Sequence, residues 1–397
     1  MRAQTILNTF LNDVTPSMHK VRRASLCAVL SSVLSGSQLS ITAIGRNIDS
    51  KTSEKHQIKR SMRLVSNPHL YHEIGAIYSA LAIRLIGQQT HPVILVDWSD
   101  LDPRKQHFLL RASVAIDGRS LTLLEQIYTV AEKDKPTIHK QFMERLKAML
   151  PVDIKPIIVS DAGFRVPWFE LITSLGWDYV GRVRNKTMCK QHEEDDWFLT
   201  RELYQQATTR EKYLGQYRMR RKNSFITHLV VYKQISKGRK KLTATGERSR
   251  ASSNSRSNAS REQEPWLLAT SLTCNKIRDT KKIVKLYRTR MQIEESFRDL
   301  KTGLNFNVSK TRKLHYLCVL LLIAMLAQYV LFLLGMVMTL TKSHLGYQAN
   351  SIKTRSVLSY QYIGLRAFRD RRLRLKKREW EAANKKIQAL MQVPVYD

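Results

Sequence analysis

The sequence predicts an α/β protein in which a core built on a mixed sheet lies between helical N- and C-terminal parts. Three observations support this prediction. Residues 1 to about 88 contain no strand pair, strand-like apolar runs begin only after His91, and the chain beyond Lys313 is again helical in pattern. With 397 residues, the chain is long enough for a large core and two or three modules.

The N-terminal part contains two predicted short helices joined by a turn, LSITAIGRNID and SEKHQIKRSMRLVSN. Six basic side chains lie on or near the second helix: Arg46, Lys55, His56, Lys59, Arg60 and Arg63. This pattern is typical of a helix-turn-helix that reads DNA, and equally of an ordinary helical bundle with a basic exterior.

The predicted core begins with PVILVDWS, a buried strand that places Asp97 at its carboxyl end. Two further strands, at 108–116 and 120–130, are joined by the hairpin signal Asp117-Gly118. An amphipathic helix at 139–150 follows.

The run IKPIIVSDAGF is the next predicted buried strand, and it ends at Asp161. PWFELITSLG then predicts a helix and WDYVGRVRN a fifth strand. A ribonuclease-H-like sheet has the same element order: three strands, a helix, a strand, a second helix and a final strand. In such a sheet, neighbouring strand ends would bring Asp97 and Asp161 together, where they could share a metal ion.

An insertion interrupts this core after its fifth strand. It contains the strand-like runs YLGQYRMRR and SFITHLVVYKQ, followed by a Ser/Arg/Lys-rich run at 237–264 that we interpret as a flexible loop. The sheet is predicted to resume with PWLLATSL at 265–272.

The stretch YRTRMQIEESFRDLK is predicted to be one helix. At 100° per residue, Tyr287, Arg290, Glu294 and Lys301 fall within about 60° of arc. One helix face would therefore offer an acid and two cations to a polyanion. A solvated surface helix with incidental ion pairs is the alternative, unless other carboxylates meet at the same place.

The apolar run at 314–340 is long enough to cross a membrane. Because it is solitary and contains His315 and Gln328, we expect the buried helix of a large domain and no membrane association. The basic tail from Lys353 to Met391 is predicted to be helical, either solvated or contacting phosphates or another subunit.

Charge indicates the class of partner. The 67 Lys and Arg against 33 Asp and Glu give a formal net charge of +34, which favours nucleic acid over a small acidic substrate, with a membrane surface as the competing explanation. The four cysteines are scattered singly, which indicates neither a disulfide framework nor a zinc site and fits a reducing cytoplasm.

The spacing Tyr287-x2-Arg290-x3-Glu294-x6-Lys301 resembles the Y-R-E-K signature of bacterial insertion-sequence DDE transposases of the type-four group. Asp97 in ILVDWSD and Asp161 in IVSDAGF resemble the two aspartates of that family. The resemblance covers essentially the whole chain and is closest to the cut-and-paste transposases that excise their element through DNA hairpins. It implies a protein that binds double-stranded DNA, both element ends and target, and acts as a homodimer in the synaptic complex.

The resemblance also implies roles for individual residues. Asp97, Asp161 and Glu294 would hold two Mg2+ or Mn2+ ions, with Asp97 bridging, because these ions prefer oxygen ligands. Three further residues on or near the same helix face would contact DNA phosphates: Tyr287, Arg290 and Lys301. Trp266, at the start of PWLLATSL, would receive a flipped base during hairpin formation, although a core tryptophan is the alternative.

The resulting prediction is a transposase that is cytoplasmic and associated with the nucleoid. Its segments are 1–88 as a helical DNA-binding domain, 89–185 and 265–340 as the two parts of the catalytic core, 186–264 as the β-rich insertion, and 341–397 as a basic helical C-terminal region. A nuclease or resolvase with the same core stays open, since water and a 3′ hydroxyl are interchangeable nucleophiles in such a site. A non-enzymatic basic protein, bound to DNA or to a membrane, is the second alternative.

Overall fold

A computed structural model describes residues 3–87, 89–102, 104–184, 187–235, 264–309, 311–349 and 357–391. The chain divides into two compact units. The first unit comprises the chain up to residue 154 together with the chain from residue 291 onward, and the second comprises residues 155–290.

Five helices form the N-terminal part of the first unit: α1 Ala3–Val14, α2 Lys20–Leu34, α3 Ile41–Arg46, α4 Glu54–Val65 and α5 Pro68–Ile86. The prediction of two short helices joined by a turn is confirmed by α3 and α4. The Ser40 hydroxyl caps α3 by accepting from the Ala43 amide at 3.2 Å. Gly45 allows a close approach of the two helices, because a Cβ there would lie 2.5 Å from the Ile58 Cα.

Three antiparallel strands and one helix complete the N-terminal side of this unit: β1 Val93–Asp100, β2 His107–Ile116, β3 Arg119–Thr129 and α6 Pro136–Met149. β2 lies between β1 and β3, and the predicted Asp117-Gly118 turn joins β2 to β3. A bulge between Ala112 and Ser113 interrupts the β2–β3 register. The residues of β2 are buried along almost its entire length, so this hairpin forms a core layer.

The second unit contains seven described strands: β4 Ile157–Ser160, β5 Asp178–Val183, β6 Met188–Gln191, β7 Phe198–Leu199, β8 Lys212–Met219, β9 Phe225–Tyr232 and β10 Trp266–Thr270. Their order is β4-β5-β10-β9-β8-β6-β7, with β4 parallel to β5 and the other pairs antiparallel. Helix α7, Val166–Ser174, connects β4 to β5. The inserted strands thus extend the sheet beyond β10. Residues 237–263 of the predicted Ser/Arg-rich loop lie outside the described residues.

The prediction of a single helix from Tyr287 to Lys301 is wrong. The stretch is divided among α8 Ile277–Arg288, α9 Met291–Arg298 and a π-helical turn Asp299–Gly303. At the first break, the Thr289 and Arg290 amides bond to carbonyls only three residues back, at 3.0 and 3.1 Å. The Thr289 hydroxyl also donates to the Leu286 carbonyl at 2.6 Å. These bonds replace the i to i−4 ladder that would continue an α-helix.

Helix α10, Leu314–Leu340, carries the apolar run at 314–340. By length and composition it is the one described helix that could cross a membrane, yet 94% of its most apolar window is buried inside the protein. It packs against α2, α5, β3 and the two C-terminal helices of the same unit. The interpretation as a core helix therefore agrees with its packing.

The prediction of a single helix for the basic tail is also wrong. The described part of the tail forms α11 Tyr360–Arg369 and α12 Lys377–Met391. α11 ends at Arg369, and the amide of the next residue, Asp370, bonds to the Arg366 and Ala367 carbonyls at 3.1 and 3.2 Å. The Asp370 carboxylate then accepts from the Arg372 amide at 2.9 Å, which starts a turn.

The predicted fold class is confirmed. The chain order of three strands, helix, strand, helix and strand is that of a ribonuclease-H-like core, with strands inserted after β5. Helices make up the described N- and C-terminal regions.

Candidate active site

Asp97 lies inside β1, three residues before the strand ends, whereas the sequence predicts it at the carboxyl end. It is the last fully buried residue of the strand, with 8% of its surface exposed. Its Oδ1 accepts a hydrogen bond from the Trp98 amide at 2.8 Å. The backbone thus orients a carboxylate at the boundary between core and solvent.

Asp97 belongs to a row of charged residues that sequence reasoning missed. In the strand register, Asp97 lies opposite Arg111 on β2, and Arg111 lies opposite Glu125 on β3. Arg111 and Glu125 form an ion pair whose side chains are fully buried, with Nη2 and Oε2 2.6 Å apart. The signal available in the sequence was an arginine within the otherwise apolar run FLLRASVAI.

Helix α9, which carries Glu294, is anchored to β3 by polar contacts. The Ser296 hydroxyl donates to the Ser120 carbonyl at 2.8 Å and accepts from the Ser120 amide at 2.9 Å. The Gln328 side chain of α10 donates to the Ser296 carbonyl at 3.1 Å. Glu294 itself is exposed, in the first turn of α9. Buried contacts thus fix the helix that carries the exposed Glu294.

Lys301 lies in the π-helical turn, which closes with a bond from the Leu304 amide to the Asp299 carbonyl at 2.9 Å. Such turns are frequent at functional sites. Partial burial lowers the pKa of Lys301, and repulsion by Arg111 adds to this, while attraction by Asp100 opposes it. Lys301 is therefore electrostatically coupled to β1 and β2, the strands that carry Asp97 and Arg111.

Asp161 immediately follows β4 in the second unit, as predicted. The side chain is partly exposed, and its Oδ1 accepts from the Gly163 amide at 2.7 Å. This local turn orients the carboxylate.

Tyr287, Arg290 and Trp266 lie together in the second unit. The Trp266 and Tyr287 rings meet edge to face with centroids 4.9 Å apart, and the Arg290 guanidinium lies 5.9 Å from the Tyr287 centroid. Burial raises the pKa of Tyr287, Arg290 and then Arg182 oppose this rise, and the nearby Asp161 charge adds to it. The second unit therefore brings four predicted site residues close enough to interact.

The sequence did not identify two neighbours of this cluster, the aromatic residue Tyr232 and the cationic residue Arg288. Tyr232 pairs with Trp266 across β9 and β10, with ring centroids 5.7 Å apart. Arg288 donates to the Tyr232 hydroxyl at 2.6 Å and lies over its ring at 5.1 Å. Because Tyr232 belongs to the insertion and Arg288 to α8, no sequence pattern connects them.

The donor chemistry of the three predicted carboxylates suits a hard divalent cation. Each supplies two oxygens, and in Asp97 and Asp161 one oxygen is oriented by a backbone amide. Asp97 and Glu294 belong to the first unit, and Asp161 belongs to the second. Across the parts of the chain that the structure describes, no group of three His, Cys, Asp or Glu side chains is arranged to hold a metal ion.

A second candidate region is the exposed face of α4. Lys55, Lys59 and Arg63, spaced four residues apart, are exposed there. The two other arginines predicted for this region have contacts within the protein: Arg60 donates to the Ala24 carbonyl at 3.2 Å, and Arg46 pairs with Glu54 at 2.8 Å. The exposed lysines and arginine therefore form the part of this surface best suited to contact phosphates.

Comparison with known proteins agrees with these features. The model of the family described as the transposase DDE domain matches residues 88–329, which is more than half of the chain and extends from before β1 into α10. A search of curated proteins finds no match. Members of the family bind DNA and generally use divalent metal ions. The chain belongs to the transposase DDE domain family, whose members are metal-dependent enzymes that cut DNA and transfer its strands.

Proposed function

We propose that this protein is a type-four insertion-sequence transposase that moves its element by cutting and pasting through a DNA hairpin. It would bind the element ends, cut them and join the freed 3′ ends to target DNA. The observation that carries this proposal is the cluster of Tyr287, Arg290 and Trp266 in the unit that also holds Asp161. That cluster combines the Arg290 guanidinium, which would hold a phosphate, with the Trp266 ring, which would receive a base.

Asp97, Asp161 and Glu294 would hold the divalent cations, either Mg2+ or Mn2+. Bound ions of this kind activate a water or 3′ hydroxyl and neutralise charge on the transferring phosphoryl group. The protein's own residues have complementary roles. Arg290, which lies against Tyr287, would hold a phosphate of the element end. Lys301 would contact a second phosphate as a point charge.

A DNA assay tests the proposed reaction directly. Purified full-length protein is incubated with Mg2+, a labelled DNA that ends in the element's inverted repeats, and supercoiled target DNA. We expect nicked ends, hairpins and joined products in one reaction. Nicked ends without any joined product, at every target concentration, would favour the nuclease alternative and contradict the proposal.

Trp266→Ala is expected to allow the first nick and to impair hairpin formation. The hairpin requires a base to leave the stack, at a cost of a few kcal/mol that an aromatic face can offset. Trp266 is partly exposed at the start of β10, and its indole would receive that base. Denaturing gels of a labelled end should show nicked DNA accumulating at the expense of hairpin.

Trp197→Ala is the matched control, since Trp197 is a partly exposed tryptophan of the same unit with Lys190 near its ring. This variant should form nicks and hairpins in the wild-type ratio. Equal loss of nicking and hairpin in Trp266→Ala, together with a lower melting temperature, would show that Trp266 is structural.

We propose that the exposed face of α4 contacts the element end. Log K for DNA should fall with log salt by roughly 0.9 per phosphate contacted. Lys59→Ala and Arg63→Ala should each reduce that slope by about 0.9. Fluorescence anisotropy between 50 and 300 mM salt measures it, and Lys140→Ala on α6 serves as an exposed-lysine control. If the salt dependence keeps its wild-type slope in both α4 variants, the exposed face of α4 does not contact DNA phosphates.

We propose that the protein is cytoplasmic and nucleoid-associated, and that it acts as a homodimer on paired element ends. The burial of α10 supports recovery without detergent. Recovery only in membranes that resist salt and alkaline washing would contradict this location. Light scattering of the protein bound to two labelled ends would show one protein chain per end if the homodimer is correct.

A further inference from the structure

Trp266 is the first residue of β10, and the two neighbouring strands pair with it unequally. The β9–β10 register pairs Trp266 with Tyr232. The β5–β10 register begins one residue later, with Leu267 opposite Val183. On the β5 side, the described ladder thus stops short of Trp266, and the backbone there depends on other contacts.

Arg182 of β5 contacts the backbone directly before Trp266. Its Nη2 donates to the Pro265 carbonyl at 3.2 Å and, at the longer distance of 3.4 Å, to the Glu264 carbonyl. The same nitrogen donates to Glu264 Oε2 at 2.9 Å. One guanidinium nitrogen therefore contacts two successive carbonyls and a carboxylate.

These contacts restrict the peptide that leads into Trp266. The ring of Pro265 fixes its φ angle at about −65°. The peptide plane between Pro265 and Trp266 can still rotate about the remaining soft dihedral, ψ. The hydrogen bond from Arg182 to the Pro265 carbonyl restrains that rotation. The ring and the bond together leave little freedom in the backbone that carries the indole.

Arg182 also lies on the face of the sheet that carries the indole. It pairs with Leu268, two residues beyond Trp266. Paired residues, and residues two apart in one strand, project from the same face, so Arg182 is a diagonal neighbour of Trp266. Burial raises the pKa of Tyr287, and the charges of Arg290 and then Arg182 oppose that rise. The guanidinium is therefore close to the aromatic pair of Trp266 and Tyr287.

Burial distinguishes Arg182 from the next arginine of the chain. Arg182 is only 8% exposed, whereas Arg184 is exposed. The Arg184 Nε lies 3.3 Å from Glu264 Oε2, the oxygen that also pairs with Arg182. Arg184 thus pairs with the carboxylate, while Arg182 also holds the two carbonyls. The two residues carry the same charge and differ in their contact with the backbone before Trp266.

We propose that Arg182 is a positioning residue, which holds the backbone before Trp266 so that the indole is in place to receive a flipped base. An aromatic ring that is already ordered loses less conformational freedom when the base arrives, which favours stacking. This inference rests on the proposed role of Trp266 in hairpin formation. It gives Arg182 and Glu264 a role that requires no contact with DNA or metal.

Fluorine NMR of the full-length protein without DNA tests the position of Trp266 directly. The chain has six tryptophans, and 5-fluorotryptophan gives each of them a resonance, of which Trp266→Phe identifies one. Arg182→Met keeps an unbranched side chain and removes its donors. In this variant, we expect the Trp266 resonance to shift or broaden while the other five keep their wild-type positions. An unchanged Trp266 resonance, or a shift of all six, would overturn the proposal.

The DNA assay measures the consequence for the reaction. The ratio of hairpin to nicked DNA should fall about tenfold in Arg182→Met, because small displacements of a positioned group are costly. Arg184→Met is the matched control, since it removes an equal charge from Glu264 and leaves the carbonyl contacts in place. It should keep the wild-type ratio. An equal loss in both variants would show that charge near Glu264 matters instead, and would overturn the proposal.

Trp266→Ala separates this inference from the proposed function. A wild-type hairpin ratio in that variant would contradict the proposed role of Trp266, while the fluorine spectrum would still show whether Arg182 positions the indole. A lowered ratio in Trp266→Ala, combined with a wild-type ratio in Arg182→Met, would overturn only the role of Arg182.

If Arg182→Met does not fold, Glu264→Gln replaces it. The Glu264 side chain is 19% exposed, and the substitution keeps its shape while it removes the charge that pairs with Arg182. The proposal expects a displaced Trp266 resonance and a hairpin ratio that falls less than in Arg182→Met. A wild-type resonance and a wild-type ratio in folded Glu264→Gln would overturn it.

Discussion

Asp97→Ala, Asp161→Ala and Glu294→Ala are each expected to reduce cleavage of an element end on the order of a thousandfold, while DNA binding is largely retained. The carboxylates would hold ions that serve the chemistry, whereas affinity for the DNA comes from phosphate contacts made elsewhere. Metal-dependent nicking of a labelled end measures the first quantity, and fluorescence anisotropy without metal measures the second.

Exposed carboxylates provide matched controls for this series. Asp153 lies in the loop before β4, and Glu144 lies on α6. Asp153→Ala and Glu144→Ala should cut at the wild-type rate. Near-wild-type cutting by any one of the three site variants would remove that residue from the set of proposed metal ligands.

Gly335→Ala is expected to destabilise the protein by about 2 to 3 kcal/mol, as overpacking of a tight core does. At an exposed helix position, the same substitution stabilises a protein by about 1 kcal/mol. The sign of the change in the free energy of unfolding therefore distinguishes a tightly packed glycine from an exposed one. Gly335 of α10 is buried, and a Cβ there would overlap the Tyr360 backbone of α11. The added methyl group would force the two helices apart. Urea unfolding followed by circular dichroism measures the change.

Gly346→Ala is the control for this prediction. Gly346 is exposed in the turn after α10, and a Cβ there meets no atom within 4 Å. Its substitution should change the free energy of unfolding by less than about 1 kcal/mol. Equal stability of the Gly335→Ala and Gly346→Ala variants would contradict the close packing of α10 against α11.

Local sequence patterns were sufficient to predict most elements. The strand-like runs FLLRASVAI and SLTLLEQIYTV, with Asp117-Gly118 between them, predicted β2, β3 and their turn. Asp161 was placed correctly at the end of β4. These features depend on residues close together in the chain, so hydrophobic period and turn chemistry suffice to identify them.

The organisation of the candidate site could be predicted only in part. The Y-R-E-K spacing identified Tyr287, Arg290, Glu294 and Lys301 as a set, but the single straight helix assumed for them is wrong. A break at Thr289 and Arg290 and a π-helical turn at Lys301 divide the stretch. The rotation of 100° per residue applies only to a regular α-helix, so it does not predict the relative directions of side chains on either side of such irregularities.

By itself, the sequence determined the fold class, the element order, the basic charge and the spacing of the signature residues, because each is encoded in composition or local pattern. Only the tertiary structure decided that α10 is buried in a core, that Arg111 lies between Asp97 and Glu125 in the strand register, and that Tyr232 and Arg288 join Trp266. The physical reason is that burial and strand register depend on neighbours distant in the chain. The same apolar sequence can form a helix in a lipid bilayer or in a protein core. A buried arginine can be recognised only when the structure shows the carboxylate with which it pairs.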